Sequence, residues 1–156
     1  MPGRSCRVLW FLCALSVVFA LSSPAKTAKP VIAVFNFEIE SASDYLAPVV
    51  ARYLMTALAY LGKYKVVEPE KIEKILEGSD IGQGEPISTA TAAALGKKLG
   101  AMVACRGKVT KNGNKYTITV DFISTANGAV ITSKSANVTG EANLSKGIDS
   151  IVGLTD

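Results

Sequence analysis

An α/β (α+β) domain, with a mixed sheet of about five strands packed by three to four helices, is what the sequence predicts. Three observations carry that expectation. Val31-Ile-Ala-Val-Phe35 is an unbroken apolar run rich in β-branched residues, the pattern of a strand covered on both faces. From Leu46 to Leu61, apolar residues recur in the i, i+3, i+4, i+7 rhythm of a helix. Tyr116, Ile118, Val120 and Phe122 alternate with Thr117, Thr119 and Asp121, as in a strand with one wet face. Strands separated by helices come first and a three-strand meander comes later, so the sheet should begin parallel and finish antiparallel.

Ahead of the first strand, Arg4 and Arg7 give a basic start and Val8 to Leu21 is an uncharged apolar run. Ser23-Pro24-Ala25 then supplies small residues for a signal peptidase. Residues 1–25 are therefore expected to be a signal peptide and 26–156 a single domain, with cleavage after Ala25, or alternatively after Ser22. The run falls short of the roughly 20 apolar residues that cross a bilayer, which disfavours a permanent anchor. Cys13 is a poor lipid-attachment site, because it follows Trp10-Phe11-Leu12 and not a small residue.

The helix after the first strand starts from Ser43 or Asp44, whose side chains are candidate caps. Its apolar positions are Leu46, Val49, Val50, Tyr53, Leu54, Ala57, Leu58 and Leu61; Pro48 fits its first turn and Gly62 ends it. Tyr64 to Val67 reads as a short strand. Pro69 opens a second helix, with Ile72, Ile75 and Leu76 on one face and Glu70 and Lys74 spaced to pair on the other. Residues 78–86 contain three glycines and form the least regular segment. A third helix spans Thr89 to Leu99, and Ala101 to Val109 returns to the sheet with Met102 to Cys105 as a buried run. Lys111 to Asn114 and Thr125 to Gly128 are turns, Ala129 to Val138 is a polar edge strand, and a last helix carries Leu144, Ile148, Ile151 and Val152.

Between Ala93 and Val109, AALGKKLGAMVACRGKV has the glycines and lysines of a phosphate-binding loop without its spacing. Thr91 stands where the first glycine is needed and Lys98 where the Ser or Thr is needed. Gly96 and Gly100 also fall at a helix end, whereas pyrophosphate sits at a helix start. Lys97 and Lys98 are instead last-turn cations that complement the helix dipole, and Gly100 is the helix stop.

The chain has 156 residues, no histidine and three cysteines. Without histidine there is no Ser-His or Cys-His pair and no imidazole for zinc. Loss of residues 1–25 would remove Cys6 and Cys13, leaving Cys105 inside an apolar run as a core thiol. The same cleavage removes Arg4 and Arg7 and no acid, lowering the net charge from +4 to +2. The remaining lysines are scattered among acids, so no basic stripe suggests nucleic acid. Glu38, Glu40 and Asp44 follow the first strand and are the only carboxylates placed for hydrolysis; a solvated loop is the simpler reading. Glu68, Glu70, Glu73 and Glu77 read as one exposed helix face. Asn137-Val-Thr139 and Asn143-Leu-Ser145 fit the glycosylation pattern, which matters only in a eukaryotic secretory pathway.

The strand VIAVFNFE, the segment KYKVVEPEKIEKILEG and the stretch ALGKKLGAMVACRGKVTKNGNKYTITVDFISTANGAVI together carry a resemblance. They resemble the bacterial envelope domain shared by the curli-secretion protein CsgG, the flagellar outer-membrane protein FlgO and the penicillin-binding-protein activator LpoB. The N-terminal domain of TolB is similar more loosely. The resemblance spans essentially the whole of 26–156 and implies an envelope protein without catalytic residues or cofactor, working by binding partners or by forming assemblies. The chain departs from these relatives in lacking a lipid-attachment cysteine. The tight turns at 111–114 and 125–128 leave no room for the membrane-spanning hairpins of CsgG, and the loop from Asn36 to Ser43, which corresponds to the CsgG constriction, is short.

The function expected is that of a non-catalytic exported protein, periplasmic or associated with the outer membrane. It would act through protein contacts in assembly, secretion or regulation of a surface structure. Its partners would be envelope or surface-assembly proteins or further copies of itself, with no nucleic acid and no membrane span after signal removal. Phe37, Ile39 and Tyr45 are the candidate partner-binding residues: Phe37 and Ile39 either enter the core or join Tyr45 in a contact patch. The alternatives are a small carboxylate-dependent hydrolase and a ligand-binding module using the 78–86 loop. No metal or cofactor is expected.

Overall fold

A computed structural model describes residues 28–79, 81 and 86–153. The expected signal peptide and most of the 78–86 segment lie outside the described residues.

Strand β1 (Val31–Glu40) is followed by helix α1 (Leu46–Tyr60), the two-residue strand β2 (Lys65–Val66), and helices α2 (Pro69–Glu77) and α3 (Thr89–Lys98). Strands β3 (Val103–Asn112), β4 (Lys115–Ser124) and β5 (Val130–Thr139) form the meander. A 3-10 turn (Glu141–Asn143) then leads into α4 (Leu144–Val152). The sheet order is β2-β1-β3-β4-β5. β1 pairs in parallel with both β2 and β3, while β3-β4 and β4-β5 are antiparallel. The mixed α+β sheet is the one the sequence predicts.

Two cores lie on the two faces of the sheet. On one, Ile32, Val34, Phe37, Cys105, Val109, Ile118 and Val120 meet Leu46, Val50, Leu54 and Leu58 of α1 and Leu144, Ile148 and Ile151 of α4. On the other, Ala33, Phe35, Ala104 and Ile123 meet Ile72 of α2 and Ala92, Ala93 and Leu95 of α3. Each large side chain withdrawn from water in this way contributes roughly 1.5–3 kcal/mol.

β1 is longer than its apolar run. The register with β3 shifts between Val34 and Phe37, and pairing then resumes from Phe37↔Gly107 to Glu40↔Thr110. One extra residue reverses the phase of the strand, so Phe37 joins Val34 on the α1 face while Phe35 points to the other. Residues 36–40 are thus ladder and not the loop expected. β2 is likewise shorter than the strand expected over 64–67.

Local chemistry also departs from expectation at the starts of α1 and β3. Tyr45 is the residue before α1, and no side chain caps the helix. Ser43 and Asp44 contribute only their backbone carbonyls, to the N–H groups of Leu46 (3.0 Å) and Ala47 (3.1 Å). Met102 is exposed and precedes β3, its N–H donating to the Val31 carbonyl (2.8 Å). On α2 the ion pair formed is Glu68–Lys71 (2.9 Å), not Glu70–Lys74.

Candidate interaction surface

Helix α1 buries Leu46, Val50, Ala51, Leu54, Ala57 and Leu58 against the sheet and α4. Tyr45, Val49 and Tyr53 follow one another at intervals of four and therefore stand on one face of the helix, here the outer one. Their exposures are 56%, 37% and 42%, and Tyr60 near the helix end reaches 82%. The Tyr45 hydroxyl donates to the carboxylate of Glu141, 96 residues away in the 3-10 turn before α4. This hydrogen bond raises the phenol above its ordinary pKa. It also fixes the ring at the start of the ridge, between the two helices that share the core.

Of the other two predicted contact residues, Phe37 is 2% exposed and Ile39 is half-buried against the same core. The Phe37 ring lies directly on the backbone of Gly107, where a Cβ would fall inside the ring. The structure thus does not bring Phe37 to the surface beside Tyr45. Sequence reasoning missed Val49, Tyr53 and Tyr60 as surface residues, though a signal existed. The apolar positions counted on α1 cover too wide an arc for one buried face.

The opposite sheet face is only partly covered by α2 and α3. Beyond them lies a polar cleft of about 170 Å³ lined by Asn36, Glu38, Arg106, Lys108, Thr119 and Asp121, with Ile87 at its rim. Arg106 donates to Asp121 (3.2 Å) and to the Ile87 carbonyl (2.9 Å), and Ser133 donates to the other oxygen of Asp121 (2.6 Å). Lys108 lies 3.7 Å from Glu38 and 3.1 Å from Glu40, and Thr110 donates to Glu40 (3.1 Å). The Lys108 hydrogen bond, with that from Thr110, holds the Glu40 carboxyl below its ordinary range; the Glu40 hydrogen bond in turn raises Lys108.

Glu38 and Glu40 are therefore strand residues that share one lysine, while Asp44 lies in the connection to α1. Burial pushes the Cys105 thiol far above its usual range, as expected of a core thiol. Among the described residues no cluster of three or more His, Cys, Asp or Glu side chains could hold a metal, and no helix is long and apolar enough to cross a membrane.

Several solved structures share this fold. The LpoB C-terminal domain from Salmonella enterica aligns with a TM-score of 0.59 at 18% identity, over 72% of this chain and 84% of that one. Lipoprotein GNA1162 from Neisseria meningitidis gives 0.59 at 16% identity, over 80% of this chain and 94% of that one. TolB from Acinetobacter baumannii gives 0.55 at 10% identity, over 80% of this chain and 27% of that one. A search of curated protein sequences finds no match. The family model described as "Curli production assembly/transport component CsgG" matches residues 15–139, well over half of the chain. With that match, and with the parallel-then-antiparallel sheet between two helical layers, the chain belongs to the CsgG family.

Proposed function

We propose that this protein is a non-catalytic, exported component of a bacterial envelope. It acts through protein–protein contacts in the assembly, secretion or regulation of a cell-surface structure. The outer ridge of α1 carries the proposal: Tyr45, Val49 and Tyr53 stay in water on a helix whose other side fills the core. Tyrosine is enriched among the residues that dominate interface energies, because it presents a large rigid apolar area with a polar tip. Phe37 and Ile39 support this ridge from below, through the core that α1 covers. The family's description supports an assembly or transport role. The lipoprotein relative supports a location in the periplasm or at the outer membrane.

The test is to measure fold and partner capture separately. Tyr45→Ala and Tyr53→Ala are compared with a triple variant carrying Glu38→Gln, Glu40→Gln and Asp44→Asn, using chemical denaturation and quantified cross-linking in intact envelopes. Each aromatic variant should keep its denaturation midpoint and lose about tenfold or more of its partner capture. The carboxylate variant should bind normally, since exposed charges contribute small, salt-screened terms. A triple variant that abolished a measurable hydrolysis, with both aromatic variants binding normally, would replace the adaptor reading by the hydrolase.

A further inference from the structure

Among the described residues, the sheet ends at β5 in a long strand with no neighbour beyond it. β5 has ten residues, Val130 to Thr139, and all but Ala136 and Val138 are exposed. An edge of this length presents a row of unpaired N–H and C=O groups, and monomeric proteins commonly blunt such edges with proline, several charges or bulges along the strand. β5 has no proline and one charge, Lys134. Its single irregularity, opposite Phe122/Ile123, lies near its first residues, so Thr132 to Thr139 runs in regular register against β4. The opposite edge is broken: β2 has only two residues and pairs with Val31 and Ile32, and β1 beyond them carries the register shift between Val34 and Phe37, so neither offers a regular run of this length.

We propose that β5 pairs antiparallel with β5 of a second copy of this chain, extending two five-stranded sheets into one across a two-fold axis. The shortness of β2 decides the symmetry. A β5-to-β2 contact would be head-to-tail, forming a ring or a filament, and would rest on the two residues of β2, whereas β5-to-β5 is isologous, engages the whole strand and closes at two copies.

Side-chain chemistry decides the register. A two-fold axis perpendicular to the sheet places one residue opposite its own counterpart. Centring on Lys134 would oppose two ammonium groups, which is destabilising. Centring on Ser135 instead sets Lys134 against the partner subunit's Ala136, Ser133 against the partner subunit's Asn137 and Thr132 against the partner subunit's Val138. Every direct pair from Thr132 to Val138 is then free of like charge. The register keeps both faces continuous: Ala136 and Val138 stay on the side covered by α1 and α4, and Ser133, hydrogen-bonded to Asp121, stays on the polar side. A second copy fits this edge because the strand is complementary to itself and carries no charge pattern that calls for an unlike partner.

Cysteine substitution reads the register directly. In a background with Cys6 and Cys13 replaced by serine, Ser135→Cys places two thiols on residues whose Cα atoms lie about 4.5–5.5 Å apart, within disulfide reach. It should cross-link to a dimer under mild oxidation. Ser133→Cys, four residues out of step and more than about 13 Å from its counterpart, should not. In light scattering, the unsubstituted protein should show twice the chain mass, and Ser135→Glu, which opposes two carboxylates on the axis, should fall to the single mass with an unchanged far-ultraviolet circular-dichroism spectrum. A single mass for the unsubstituted protein without cross-linking at 135, equal cross-linking at 133 and 135, or cross-linking of 135 only to an unlike protein would each overturn the proposal.

Discussion

Gly107 shows how one missing side chain shapes the core. It lies on the α1 face of β3, opposite Phe37, and the Phe37 ring occupies the space its Cβ would need. The ring is 2% exposed and packed on every side, so it cannot swing clear as a surface side chain would. Gly107→Ala should therefore destabilise the protein by about 1–3 kcal/mol, read as a lower denaturation midpoint, although alanine is the better strand former. Adding Phe37→Leu should recover part of the loss, because the two positions share one volume. An unchanged midpoint for Gly107→Ala would show that the ring can move, and would return Phe37 to the surface candidates.

Helix α3 is defined by how it begins and how it stops. Ser88 caps its start: the hydroxyl accepts the Thr91 N–H at 3.1 Å. At the other end Lys97 and Lys98 occupy the last turn and Gly100 follows at φ 69, in the left-handed region. The N–H of Ala101 then donates to the Gly96 carbonyl (2.9 Å), closing the helix and aiming the chain into β3. No atom lies within 4 Å of a Cβ built on Gly100, so a substitution there meets backbone strain and no crowding. Gly100→Val should cost about 1–2 kcal/mol of stability in denaturant unfolding, with no loss of helix content. A midpoint equal to that of the unsubstituted protein would mean the cap contributes nothing.

For the molecule as a whole, the decisive property is where the chain is delivered. The described residues begin just ahead of β1, and Lys29 lies beside Gly62 at the end of α1. Cleavage after Ala25 would leave a short polar lead-in before the first buried residue, Ile32. We predict a mature protein beginning near Lys26 in the periplasm, checked by mass spectrometry of the N-terminus. A retained Met1, or an acylated cysteine, would contradict it.

Most of the architecture follows from local pattern. The alternation of β4, the glycine stop of α3, the proline start of α2 and the buried run around Cys105 are each properties of a few neighbouring residues, and each element appears where its pattern lies. The candidate surface was less legible. Tyr45 could be singled out, but periodicity assigned Val49 and Tyr53 to the apolar side of α1. Their exposure depends on which arc of the helix the sheet and α4 cover. The extension of β1 to Glu40 depends on pairing with Gly107 to Thr110 of β3, and the ion pairing of Glu38 and Glu40 on the single Lys108 of that neighbouring strand. The tie from Tyr45 to Glu141 joins residues from opposite ends of the domain. Local propensity acts over a turn or a strand, so it is written in short windows of sequence. Phase reversals, charge pairing and exposure are settled by whichever distant segment arrives alongside, and for those only the folded chain supplies the neighbour.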